Sequence, residues 1–234
     1  MHKDELNSER YFNIHTHLPG STHQEVSVYI LSQDDLISER VNSPYSCAGI
    51  HPWWPEDIDN NQIEKLKISI LNLLEAGKIW GVGETGIDRL YPEYLDLQKE
   101  LFQWHLELAN KYQKPLIVHN VRAGSDFLEI IKAEKPQTPW LFHDFRGNME
   151  LVDSLLKLHE DCYFSFGISL DNSQTVRDVI KEIPIDRIFL ETDVQKHLDI
   201  HDVYIRACKE LKLDLPALKE QIYNNFLRFE PSIH

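Results

Sequence analysis

Short apolar runs alternate with longer amphipathic ones along this chain. Eight runs carry the strand signature of aromatic and β-branched residues bounded by turn formers: Tyr11–His17, Val26–Leu31, Ser46–Ile50, Ile79–Glu84, Pro115–His119, Trp140–Phe145, Cys162–Ile168 and Arg187–Asp193. Between them, apolar residues recur three or four apart, the spacing of one helix face. Ile63, Leu66, Ile70, Leu73 and Leu74 form one stripe, closed by Gly77. Leu97, Leu101, Trp104 and Leu108 form another, and Phe127, Ile130 and Ile131 follow Gly124 until Pro136 stops them. Asn148 reads as an N-cap for Leu151, Val152, Leu155 and Leu156, and Ser173 as one for Val176, Val179 and Ile180, with Pro184 as the stop. Two further helical patterns, around Val203–Leu211 and Pro216–Phe229, close the chain.

Strand then helix, repeated eight times, predicts a parallel α/β fold, with a (β/α)8 TIM-type barrel as the leading architecture. An open doubly wound sheet is the alternative, and no Gly-x-Gly-x-x-Gly loop supports it. Only eight residues separate His17 from Val26, too few for a crossover helix, and the Leu31–Ser46 segment is also short. The barrel is therefore expected to be irregular in its first two βα units. No linker, low-complexity tract or repeat interrupts residues 1–234, which read as a single domain.

Composition narrows the class. Of 234 residues, 42% are hydrophobic and 26% charged, as in soluble globular proteins. No apolar run approaches the ~20 residues of a membrane span. The N-terminal MHKDELNSER is charged and does not read as a secretory signal, and its Lys3-Asp4-Glu5-Leu6 is an address only at a C-terminus. Cys47, Cys162 and Cys208 are scattered, which fits a reducing, cytoplasmic setting without a disulfide framework. A net charge of −14 argues against coating nucleic acid by bulk electrostatics. It leaves room for an enzyme that draws phosphates locally through metal ions and a few arginines. No membrane partner is expected, and a monomer is favoured.

The chemistry gathers at the strand ends, where such barrels carry their active sites. In YFNIHTHLPG, residues two apart share a face, so Asn13, His15 and His17 line one side of the first strand, before the Pro19-Gly20 stop. The third strand ends at His51 in GIHPWW, the fourth at Glu84 in GVGETGID and the fifth at His119 in PLIVHN. The sixth reaches His143 in WLFHDFRGN, and the eighth ends at Asp193 in IFLETD. A lone buried histidine is usually a hydrogen-bonded core residue, and a lone carboxylate there is often a helix cap. Together they read differently. Unpaired carboxylates at one buried end would carry a large desolvation cost, which cations remove. Four of these five histidines and the two carboxylates suit zinc, manganese or iron, and the carboxylates also suit magnesium. Six ligands exceed the three that a single catalytic zinc takes from a protein and fit two metals with a carboxylate between them.

The ordered set NIHTH, GIHP, GVGETGID, Gln98 and Phe102, KPLIVH, HDFRGN, SFGIS, FLETD and Asn225-Phe226 resembles the TatD family of metal-dependent hydrolases, in a short, trimmed form. The resemblance implies a barrel with two divalent ions (Mg, Mn or Zn). His15, His17, Glu84 and Asp193 would hold one ion, and Glu84, His119 and His143 the other, with Glu84 bridging. It implies phosphodiester hydrolysis in DNA, exonuclease-type, by a hydroxide between the metals, with Asp193 and Glu84 as catalytic residues and Asp193 as general base. DNA or a small phosphodiester is the expected substrate.

Three positions depart from the family pattern: Asn13 stands for an Asp, Val121 for an Arg, and Gln195 for a Pro. Asn13 is expected to support the ligands without touching a metal itself. His51, Arg89, Arg122 and Arg146 are candidate substrate contacts, as is Lys196. Trp53 and Trp54 either stack on bases or cover the rim. Two other functions stay open. One is hydrolysis of an ester, lactone or amide by the same metals, although a carboxylate bridge favours the nuclease branch over relatives with a carbamylated lysine. The other is a non-catalytic binding protein.

Overall fold

A computed structural model of the protein describes residues 6–18 and 24–230, so Pro19-Gly20 and Lys3–Glu5 fall outside the described residues. The strands, numbered in chain order, are β1 (Tyr11–Thr16), β2 (Glu25–Ile30), β3 (Ser46–Ala48), β4 (Gly81–Asp88), β5 (Leu116–Val121), β6 (Trp140–Phe142), β7 (Cys162–Phe166) and β8 (Ile188–Leu190). The helices are α1 (Gln33–Ile37), α2 (Asn60–Glu75), α3 (Leu95–Tyr112), α4 (Gly124–Glu134), α5 (Met149–Leu158), α6 (Ser169–Asn172), α7 (Gln174–Glu182), α8 (Ile200–Leu211) and α9 (Leu215–Phe229). The strands form one sheet in the order β1 to β8. The described strand pairs are parallel, and Thr16 at the end of β1 bridges Asp193 just past β8. Chain-order pairing with the first strand joined to the last is the (β/α)8 TIM-type class, not the reordered sheet of a doubly wound fold.

The expected early irregularity appears in α1, a five-residue helix held by a Ser32–Asp35 capping box. Asn148 and Ser173 cap α5 and α7 as expected, accepting from Leu151 N–H and Val176 N–H. The four-residue α6 is too short to leave a periodic signal.

Strand ends differ from the sequence expectation in ways that matter for the site. β3 stops at Ala48, because the Ile50 N–H turns away to His105 Nε2 at 3.0 Å. β8 stops at Leu190, and Asp193 adopts φ 51, outside strand geometry. β4 continues to Asp88, because Thr85–Asp88 stay in register with Val118–Val121.

Contacts divide the chain into two compact units. The first comprises the described residues up to Tyr29 with His143–Glu230. In it, Phe12 of β1 packs on Phe226 of α9 with ring centroids 4.8 Å apart. The Tyr204 hydroxyl accepts from Phe12 N–H and donates to Phe12 C=O, fastening α8 to β1. Asn225 donates to the Ile185 and Ile188 carbonyls, fastening α9 to the start of β8. These bonds explain the closing Asn225-Phe226 pair.

The second unit is Ile30–Phe142. Its core stacks Phe102, Phe127, Trp140 and Phe142 edge to face. All four are fully buried, each worth roughly 1.5–3 kcal/mol from burial. The glycines of GVGETGID set how near β5 comes to β4. Gly83 has φ +125, and a Cβ there would meet the Ile117 carbonyl at 2.5 Å. A Cβ on Gly86 would run into the His119 carbonyl. Without side chains at these points, β5 lies close enough to set His119 beside Glu84.

Candidate metal centre

In the first unit, β1 delivers two imidazoles and the segment after β8 delivers a carboxylate. His15 Nε2 and His17 Nε2 lie 3.5 and 3.6 Å from Asp193 Oδ1. These separations are long for hydrogen bonds. They are close to the roughly 3.4 Å between two ligands that sit about 2.1 Å from a common ion in tetrahedral array. The backbone sets this placement. Asp193 N–H donates to His15 C=O, His17 N–H donates to Asp193 C=O, and Thr16 Oγ1 donates to the same carbonyl. Asp193 carries the strain of a left-handed backbone, a cost of about 1–2 kcal/mol seen typically at functional sites.

Asn13 supports the same segment. Its amide nitrogen donates to Glu25 Oε1 and Thr192 Oγ1, and its oxygen accepts from Thr192 N–H, so it holds the residue next to Asp193. His143 stacks on His15 with centroids 4.1 Å apart and planes at 14°. Its Nδ1 faces Glu191 Oε1 at 3.5 Å, and Ser165 Oγ donates to the other oxygen of that carboxylate. With a carboxylate behind one nitrogen, the other nitrogen of His143 would be the one to meet an ion.

In the second unit, His119 sits between two buried carboxylates. Nδ1 is 2.7 Å from Glu84 Oε1 and Nε2 is 3.3 Å from Asp88 Oδ2. A neutral imidazole donates only once, so one of these contacts needs a second proton or a cation. With Nε2–H given to Asp88, Nδ1 and Glu84 form a nitrogen–oxygen ligand pair of the kind divalent ions take. Burial pushes the Asp88 carboxyl up. Hydrogen bonds from His119, Trp53 Nε1 and Leu90 N–H outweigh this and hold it below the usual carboxylate range.

His51, expected at the substrate, lies with this pair, its Nε2 3.0 Å from Glu84 Oε1. Its Nδ1 accepts from Trp53 N–H at 3.2 Å, so the neutral ring carries its proton on Nε2 and offers it to Glu84. In that tautomer His51 orients Glu84 instead of ligating. The donor sets His15–His17–Asp193 and His51–Glu84–His119 each bring their ligand atoms within 4.8 Å of one another.

Two of the candidate arginines are held locally. Arg89 Nε and Nη2 donate to the buried Asp126 at 2.7 and 2.9 Å, and Lys99 shares that carboxylate at 2.8 Å. Arg146 pairs with its near neighbour Asp144. Arg122 and Lys196 are exposed.

Sequence reasoning passed over two residues. Glu191 precedes Thr192-Asp193 and reads there as one more acid. His105, on α3, is fully buried. Its Nδ1 lies 2.7 Å from Leu101 C=O and 3.1 Å from Thr85 Oγ1, and its Nε2 accepts from Ile50 N–H. It thereby ties the residue before His51 to the residue after Glu84. The signal was present: Gln98, Phe102 and His105 share one face of α3 at i, i+4 and i+7. Gln98 does similar work, accepting from Asp88 N–H and donating to Pro52 C=O.

Residues 19–229 match the family model described as TatD related DNase. An uncharacterized metal-dependent hydrolase of Escherichia coli, YcfH, is 33% identical over 181 residues, covering 76% of this chain and 62% of that protein. The chain thus spans about three-fifths of the curated relatives it matches first. A human protein named 3'-5' RNA nuclease TATDN2 is 31% identical over 172 residues, 70% of this chain and 21% of that one. Among solved structures, the TatD homologue YJJV of Escherichia coli superposes with a TM-score of 0.78 at 19% identity, over 96% of this chain and 99% of that one. Among the described residues, no helix is long and apolar enough to cross a membrane.

Proposed function

The chain belongs to the TatD-related DNase family, and from that premise we propose that it is a divalent-metal-dependent phosphodiesterase that removes nucleotides from DNA. The observation that carries the reading is His119 set between Glu84 and Asp88, an arrangement that an ion at Glu84 and Nδ1 makes stable. The nuclease name of the human relative supports a phosphodiester substrate.

In this reading His15, His17 and Asp193 would hold one ion, and Glu84 and His119 would take part in holding a second, with His143 as a further ligand. The bound ions supply an acidified water and positive charge for the phosphoryl oxygens. Asp193 accepts the proton of the attacking water, and its approach is fixed by the backbone bonds to His15 and His17. His51 holds the Glu84 carboxylate in place, and Glu191 orients His143. Arg89, steadied by Asp126, meets a substrate phosphate with the edge of its guanidinium that Asp126 leaves open.

The test is a panel of single-stranded DNA, single-stranded RNA and carboxylic esters and lactones, with Mg²⁺ or Mn²⁺ and after chelation. Metal-dependent cleavage of DNA is expected. Turnover of esters or lactones with no phosphodiester cleavage would replace this reading with hydrolysis at carbon.

A further inference from the structure

Trp53 is 45% exposed, although it stands directly beside the second ligand cluster. It is not a loose surface ring. Its indole Nε1 donates to the buried Asp88 Oδ2 at 2.7 Å, and its backbone N–H donates to His51 Nδ1. Its ring meets His51 and His119 edge-on, with centroids 4.8 and 5.6 Å away. The imidazoles therefore occupy its inner side. Along its flank lies Tyr91, half-buried, with centroids 5.9 Å apart and planes at 35°. An indole held by its own hydrogen bond, by a second at its backbone and by two imidazole contacts, with much of its surface open to solvent, is a preorganised apolar surface.

We propose that Trp53, flanked by Tyr91, is a stacking ledge for one unpaired nucleobase of the substrate, next to the phosphate that is cut. The inference rests on the phosphodiesterase reading and adds to it a subsite and a preference for single-stranded substrate. Local charge sets the direction in which the substrate lies. The Tyr91 hydroxyl is pushed up first by desolvation and then by Glu56, Asp88, Asp57 and Glu93. Acids around the ledge repel phosphate and tolerate a neutral base. The phosphate is thereby turned toward the ligand cluster, and the base toward Trp53. Stacking is sequence-tolerant, since every base has a π-face, so the ledge selects for strandedness and not for sequence.

The test is binding of two fluorescein-labelled chains of equal phosphate number, one oligo-dT and one abasic, by fluorescence anisotropy in Ca²⁺. Wild type, Trp53→Leu and Trp53→Phe are compared, and hydrolysis in Mn²⁺ is followed in parallel. Wild type is expected to hold the base-bearing chain more tightly. Trp53→Leu should weaken that binding roughly 5- to 150-fold, the range of a lost base stack, and leave abasic binding unchanged. Trp53→Phe keeps a ring but loses the bond to Asp88, and it should recover most of the loss. Wild type that binds both chains alike, or neither, overturns the ledge. So does a Leu variant that loses both chains equally, or a Phe variant no better than Leu. Base-dependent binding that requires Trp53, with no cleavage of either chain, would keep the ledge and sink the phosphodiesterase reading.

Discussion

His119 places one ring nitrogen 2.7 Å from Glu84 and the other 3.3 Å from Asp88. With an ion on Nδ1, the second contact would make Asp88 the residue that fixes the ring and its tautomer. Losing such a partner typically lowers metal affinity about 10- to 100-fold. Asp88→Asn should therefore weaken divalent-ion binding by that factor, as read by calorimetric titration, while the thermal melt stays close to wild type. Unchanged affinity would remove Asp88 from the centre.

Glu84 carries the larger consequence. If it is shared between two ions, Glu84→Ala should abolish hydrolysis and lower the affinity for both, leaving the fold intact because Gly83 and Gly86 still set the approach of β5. Elemental analysis showing two ions fully bound in that variant would contradict the shared role.

His105 predicts an acid-sensitive fold. Burial, only partly offset by the bond to Leu101, pushes its pKa down to about 4 from 6.5. The unfolded chain therefore binds the proton more readily. The stabilisation from the neutral ring is complete above pH 6.5 and is lost as pH falls toward 4, on the order of 3 kcal/mol in all. Denaturant unfolding of wild type should lose stability across that window. His105→Gln, less stable at pH 7, should show a shallower loss. Parallel pH profiles for the two would contradict this account.

Much of this was readable in the sequence. The alternation gave the eight strands because parallel strands are buried on both faces and read as continuous apolar runs, as in Cys162–Phe166. The histidines and acids at strand ends were visible because they interrupt those runs. Bonds made through space were not visible. Nothing near His51 in the chain says that its Nε2 faces Glu84, and nothing near His105 says that it receives the Ile50 amide. The setting of the arginines was hidden for a related reason. Arg89 follows a strand end, but only the fold shows that Asp126, on the first turn of α4, already holds it.

That ion pair carries its own prediction. Burial raises the Asp126 carboxyl, but Arg89 and Lys99 hold it below the ordinary carboxylate range. Its contribution is present above the unfolded value of 3.8 and fades as pH falls below it. Asp126→Ala should cost about 1–2 kcal/mol at pH 7, since both cations are part-exposed and regain water. It should also raise KM for DNA more than it lowers kcat, because Arg89 loses its anchor. A drop in kcat with unchanged KM would contradict that placement.

The most direct test of the account is release of nucleotides from single-stranded DNA labelled at either end, with Mn²⁺ or Mg²⁺, by wild type and by Asp193→Asn. The account predicts metal-dependent release from one end by wild type and loss of nearly all of it in the variant. Release that persists in Asp193→Asn, or its absence from wild type shown to carry its metals, would contradict it.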